Sequence, residues 1–216
     1  MDDDAATAFR QGVEHANDSV RVANSCRWLV DYYLDHGRTN DAEKLAMMAA
    51  DVYSFRGLET AAHLMERMGR LAEAEVYLNN AAERYDDKKI LLGFYIRQDA
   101  AAPNGPYARK RRSLESEVFP DGLQRVTLRD FNAPPKDGCI INSTNDRLTR
   151  WGLNKGDVIV ALDGFRVHTD GEYSIVRHLD ADPKMTLIVW HDGKYQEFQL
   201  ELFDRYLGVE MAAYKR

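Results

Sequence analysis

Proline is missing from the first hundred residues; the first is Pro103. Nothing there removes a backbone donor or kinks a helix. Cysteine is nearly missing as well. Cys26 and Cys139 stand far apart, and neither has a neighbouring Cys or His at ligand spacing. They read as two ordinary buried thiols of a reducing compartment rather than a disulfide framework. Long apolar runs are absent: Leu45 to Ala50 and Val158 to Leu162 are among the longest. Both fall far short of the roughly 20 residues that span a bilayer. The chain begins Met-Asp-Asp-Asp, with no basic start leading into an apolar run. No signal peptide is expected, so a cytoplasmic location is expected, or an extracytoplasmic one such as the periplasm if a leader precedes these residues. A cationic excess is also lacking. Asp plus Glu number 35 against 29 Lys plus Arg, a formal net charge of −6. That argues against a general nucleic-acid binder, whose affinity rests on cations against phosphates.

Signatures of catalysis and metal binding are missing too. There is no phosphate-binding Gly loop, nucleophile elbow or dinucleotide fingerprint. The six histidines (His15, His36, His63, His168, His178 and His191) include no His-x-x-x-His pair. No cofactor, metal or catalytic residue is therefore expected. Asp2-Asp3-Asp4 reads as a frayed terminus. Arg109-Lys110-Arg111-Arg112 is followed by Glu115 and Glu117, and reads as the solvated face of a helix.

What is present divides into two halves. Up to residue 100 the chain is rich in Ala, Leu, Met, Glu and Arg, all good helix formers. From about residue 119, Val, Ile, Thr and Trp cluster. Asp-Gly pairs recur at 121–122, 137–138, 163–164, 170–171 and 192–193, which is turn chemistry. A boundary is expected at Phe119-Pro120-Asp121-Gly122, giving domains 1–118 and 119–216.

The helical half repeats itself. With a shift of 32 residues, Gly37-Arg38 aligns with Gly69-Arg70, Asp41-Ala42-Glu43 with Glu73-Ala74-Glu75, Ala49 with Ala81 and Tyr53 with Tyr85. A Gly ends one helix, an acid starts the next at the positive end of its dipole, and small Ala residues let the pair approach closely. Such a pair cannot bury its own faces, so flanking helices must cover it. Over about residues 23–88 this pattern resembles the tetratricopeptide family. The resemblance implies helix hairpins that dock a protein partner. It departs from the family in its 32-residue spacing and in lacking the early Trp and terminal Pro.

The second half holds the sharpest motif: Gly152-Leu153-Asn154-Lys155-Gly156-Asp157-Val158-Ile159-Val160-Ala161-Leu162-Asp163-Gly164. Gly138 to Ser143 reads as a strand, Tyr173 to Leu179 as helical, and Met185 to Trp190 with Lys194 to Leu202 as a hairpin. Phe198, Leu200 and Leu202 alternate with Glu197, Gln199 and Glu201, so one face is buried. Over about residues 123–205 this order resembles a PDZ domain of bacterial type, with Trp151 where a small residue is usual.

The PDZ resemblance implies a groove that adds a peptide strand to a sheet edge and holds its carboxylate on loop amides. Glu172, Val176 and Leu179 would face that groove from the helix. Glu172 would favour a cationic or hydroxyl-bearing ligand side chain. The place of the carboxylate loop is held by Val126 to Pro135, which lacks a Gly-Φ-Gly-Φ loop and contains two adjacent prolines. Tyr206-Leu207-Gly208-Val209 resembles such a loop instead. It is either a displaced loop of a circularly permuted domain or a closing edge strand.

The expected fold class is α+β and multidomain: hairpin repeats, then a small, partly open β-barrel with one or two helices. The expected function is a non-catalytic scaffold or adaptor with protein or peptide partners, no nucleic acid and no membrane span. The alternatives are the regulatory region of a larger protease or other enzyme, and a structural module with a closed groove.

Overall fold

The computed structural model describes residues 2–120, 122–180, 182–202 and 205–216. The chain forms two compact units, Met1–Leu91 and Leu92–Arg216. The division falls inside a helix, so residues 92–118 group with the sheet rather than with the repeats. Among the described residues the fold is α+β, and no helix is long and apolar enough to cross a membrane.

The first unit holds α1 (Asp2–Glu14), α2 (Ser19–Ser25), α3 (Arg27–Asp35), α4 (Thr39–Asp51), α5 (Phe55–Arg67) and α6 (Leu71–Tyr85). Consecutive helices from α3 to α6 pack on one another, and α2 lies against α4 and α5. The 32-residue repeat is visible atom by atom. Gly37 and Gly69 take φ of 71° and 74°. After each, an arginine amide bonds back across the turn: Arg38 to the carbonyl of Tyr33 and Arg70 to that of Met65, both at 2.8 Å. Both turns are Schellman closures, in which Gly adopts positive φ without a Cβ penalty. The arginines, not the acids, occupy the N-cap positions of α4 and α6. Asp41 and Glu73 lie three residues further in and receive the guanidinium groups of Arg38 and Arg70. The acids thus stand in the first turn of each helix, as the sequence pattern predicts, and the arginine that follows each glycine takes the N-cap because the Schellman turn delivers it there.

Equivalent residues of the two repeats touch. His63 Nε2 lies 3.0 Å from Asp31 Oδ1, Arg67 donates to Asp35 at 2.6 Å, and Arg27 lies 3.8 Å from Glu59. The Tyr85 hydroxyl donates to the carbonyl of Tyr53 at 3.0 Å. Each pair is 32 residues apart, so the hairpins stack in register. Burial works to raise the Asp31 carboxyl. The hydrogen bond from His63, with the Arg27 and Arg67 cations, outweighs it and holds the group below its ordinary range. The closest approach is at Gly57 in α5. A Cβ there would lie 2.2 Å from the Ala49 carbonyl oxygen of α4.

The second unit contains most of α7 (Lys89–Ala101), then α8 (Pro106–Val118), β1 (Asp137–Ile141), α9 (Asp146–Arg150), β2 (Val158–Leu162), β3 (Phe165–Arg166), α10 (Asp170–Val176), β4 (Lys184–His191), β5 (Lys194–Glu201) and β6 (Met211–Lys215). Pro106 starts α8, where its missing N–H costs nothing. Of the basic run, Arg111 pairs with Asp99 and Glu115. Gly93 of α7 meets the end of α10: a Cβ would lie 2.4 Å from the His178 carbonyl. This contact explains why α7 belongs with the sheet.

All strand pairs are antiparallel, in the order β5-β4-β2-β1-β6, with β3 beside β2. The sheet is open among the described residues, with β5 and β6 as its two edges. Where a partly open barrel was expected, β6 pairs with β1 and leaves β5 unjoined there, so the sheet does not close. Two of the Asp-Gly pairs make tight turns with both residues at positive φ, Asp163-Gly164 between β2 and β3 and Asp192-Gly193 between β4 and β5. That geometry matches the twist of the strands they join. β2 is buried along its whole length.

Both thiols are buried and unpaired. Burial pushes Cys26 up to about 11 and Cys139 up to about 12. Raised values leave almost no thiolate at neutral pH, and the thiolate is the reactive form. We expect no labelling of the native protein by a thiol-specific disulfide reagent at pH 7.5, and two equivalents in denaturant. Rapid native labelling of either would place it at the surface.

Candidate functional site

The sheet edge at β6 gathers the motifs that sequence analysis left apart. β6 pairs with β1 over Met211 to Lys215, with Cys139 opposite Ala213. Just beyond its ends, the Asn142 amide bonds to the Glu210 carbonyl and the Arg216 amide to the Lys136 carbonyl, both at 2.9 Å. Antiparallel ladders alternate, so the amides and carbonyls of Met211, Ala213 and Lys215 point away from β1. α10 lies against both β1 and β6. The edge is therefore a strand with outward main-chain groups beside a helix.

Tyr206 to Val209 leads directly into this edge. Gly208 has φ of 71° and is exposed. Leu207 is 1% exposed and anchors the segment, while Tyr206 is 48% exposed. The segment's carbonyls are held from one side. Asn145 Nδ2 donates to the Leu207 carbonyl at 3.1 Å and to that of Gly208 at 3.3 Å. The same side chain caps α9, its oxygen accepting from the Leu148 amide at 2.9 Å. With the carbonyls occupied, the amides of Leu207, Gly208 and Val209 have no hydrogen-bond partner among the described residues. Successive unpaired amides on a turn make an anion-binding concavity. The Arg177 guanidinium, at the end of α10, lies 5.1 Å from the Tyr206 ring.

Arg205 fixes the start of this segment. It is 4% exposed and takes φ of 55°. Its guanidinium donates to the Arg177 carbonyl at 2.9 Å, the Lys184 carbonyl at 3.0 Å, the Asp182 carbonyl and the Asp163 carboxylate. Asp163 in turn accepts from the Thr186 amide at 2.8 Å. Sequence reasoning missed both Arg205 and Asn145. The only signal was position: Arg205 immediately precedes Tyr-Leu-Gly-Val, and Asn145 precedes a short helical run.

The helix residues named for the groove divide. Val176 is 1% exposed and Leu179 2%; both are closed off from solvent and offer a ligand no surface in this conformation. Glu172 is half-buried and engaged. It accepts from the His168 amide at 2.8 Å and lies 2.7 Å from His168 Nδ1. The Gly156-Asp157 motif is structural. Asp157 is buried, accepts from the Asn154 amide at 2.7 Å and contacts His191 Nδ1 at 2.9 Å. It thereby ties the loop before β2 to the β4–β5 turn. Val126 to Pro135, where a family loop was sought, contains a short 3-10 turn at Leu128–Asp130 and bonds through Val126 to the Gly164 carbonyl. Among the described residues, no three His, Cys, Asp or Glu side chains come together as metal ligands.

The fold and edge define a class: an α+β chain of helices and an open antiparallel sheet with β6 at one edge among the described residues. No protein-family model matches the chain, and no curated protein does.

Proposed function

We propose that this protein is a non-catalytic adaptor. In this reading a partner's C-terminal segment adds as a strand to the outer edge of β6, with its carboxylate on the amides of Leu207, Gly208 and Val209. The observation that carries it is that three successive amides without a partner among the described residues lead into an outward strand edge beside α10. The PDZ resemblance supports it: the Tyr-Leu-Gly-Val segment leads into the edge strand beside the helix, as a carboxylate loop does in a permuted domain of that family. The in-register hairpins of the first unit fit a tetratricopeptide-like surface for a second protein partner.

The test is a titration of the full chain with a C-terminal peptide library, each hit remade with an amidated C-terminus. Amidation is expected to weaken binding about tenfold or more, since a charge-assisted hydrogen bond contributes roughly 1.5–3 kcal/mol. Asn145→Asp keeps the helix cap, removes both donors to the loop carbonyls and places a negative charge beside the site. It should leave the fold intact and weaken binding by a similar factor. Equal affinity for free and amidated ends would sink the carboxylate assignment.

The burial of Val176 and Leu179 favours a second reading, a structural module with a closed groove. The same titration separates the two: no hit from the library, with a folded protein, supports the closed module.

A further inference from the structure

We propose that a trough at the other end of the second unit's sheet binds a proline-rich, acidic peptide segment in the polyproline II conformation. The trough is a cavity of about 320 Å³ lined by Leu128, Phe131, Pro134, Trp190, Lys194 and Tyr195, among others. It belongs to the β4–β5 turn and the 128–134 segment, and shares no residue with the β6 edge or the 206–209 loop.

Three aromatic rings form its floor. The centroids of Trp190 and Tyr195 lie 4.8 Å apart at 66°, and those of Tyr195 and Phe131 lie 5.0 Å apart at 40°. The rings are tilted, so they present ridges rather than one flat plate. They are held from below, because Phe131, Trp190 and Tyr195 pack on the buried cluster of Val126, Val158, Val160, Ala161 and Ile188. The Tyr195 hydroxyl is fixed by donating to the Ala133 carbonyl at 2.8 Å. A rigid aromatic surface of this kind loses little entropy on binding.

The polar groups say which ligand fits. The Trp190 indole N–H has no acceptor among the described residues, and Lys194 has no ionic partner there. The lining thus offers apolar rings, an indole N–H and one cation. A polyproline II segment is the matching chemistry. Its rings stack on aromatic side chains, its carbonyls stay free to accept, and proline has no N–H that needs an acceptor. An acidic residue between the prolines answers Lys194.

The probe is an N-acetylated, C-amidated peptide of repeating Pro-Pro-Glu, added to the full chain. The blocked end makes it blind to a carboxylate site. The chain has three tryptophans, and Trp190→Phe identifies the relevant indole signal in a nitrogen–proton correlation spectrum. That signal is expected to shift on titration, with a dissociation constant on the order of 0.1 mM and weakening in salt. Trp190→Phe should lower affinity about tenfold, and Lys194→Glu, an exposed change that leaves the rings in place, by a similar factor. A peptide with every Pro replaced by Ala should not bind. No shift at millimolar peptide, equal shifts with the alanine peptide, or unchanged affinity in Lys194→Glu would each overturn the proposal. So would a concentration-dependent shift without peptide, which would make the occupant a second copy of the chain.

Discussion

Replacing Arg205 by leucine is expected to cost the second unit about 3–5 kcal/mol, the range for breaking a buried ion pair by removing one partner. The change strands four acceptors at once: the carbonyls of Arg177, Asp182 and Lys184, and the carboxylate of Asp163. Those groups belong to the end of α10, the start of β4 and the β2–β3 turn. One side chain therefore ties three pieces of the unit to the loop that leads into β6. Backbone strain cancels in the comparison, since leucine and arginine meet the same positive φ. Lysine should restore little, because a single ammonium cannot reach acceptors spread around a planar guanidinium. Urea denaturation measures the loss. An unfolding free energy within about 1 kcal/mol of the parent would show that these bonds contribute little net stability.

The second large effect is at Gly57. Alanine there is expected to destabilise the first unit by about 3 kcal/mol or more. The new Cβ would sit 2.2 Å from the Ala49 carbonyl oxygen and 2.9 Å from its carbon. Both are backbone atoms of α4, so no rotamer change relieves the clash and the helices must separate. Separation also loosens the buried Ala42, Ala46, Ala49 and Ala61, whose small side chains suit only a close approach. Gly12 in α1 is the control. Nothing lies within 4 Å of a Cβ built there, so Gly12→Ala should stabilise by up to about 1 kcal/mol through helix propensity. Opposite signs for the same substitution would show that packing, not propensity, sets the result at Gly57. A near-neutral Gly57→Ala would mean that α4 and α5 pack less closely than described.

Much of the fold was legible because its signals are local. The Gly-Arg turns repeat because each Schellman closure needs a residue at positive φ within a few positions. The Asp-Gly hairpins at 163–164 and 192–193 follow from the same chemistry, and the alternation in β5 showed its half-buried face. The candidate site was less legible. Tyr206 to Val209 carried a visible loop pattern, but nothing nearby told which strand it would join. Asn145 and Arg205 act across 62 and 42 residues respectively, and no spacing rule reaches that far. Val176 and Leu179 fit a groove by helical phase, yet their burial depends on what packs against α10.

Local signals in the chain settle the helical and β-rich halves, the 32-residue repeat, the turns and the absence of a long apolar run. These rest on propensity, turn dihedrals and short-range periodicity, which each residue carries with it. Tertiary contacts alone settle that residues 92–118 join the sheet and that, among the described residues, the sheet stays open and β6 is an edge with its loop amides unpaired. Those outcomes depend on which distant surfaces meet: Gly93 against the end of α10, β6 against β1, and Arg205 against three carbonyls and a carboxylate.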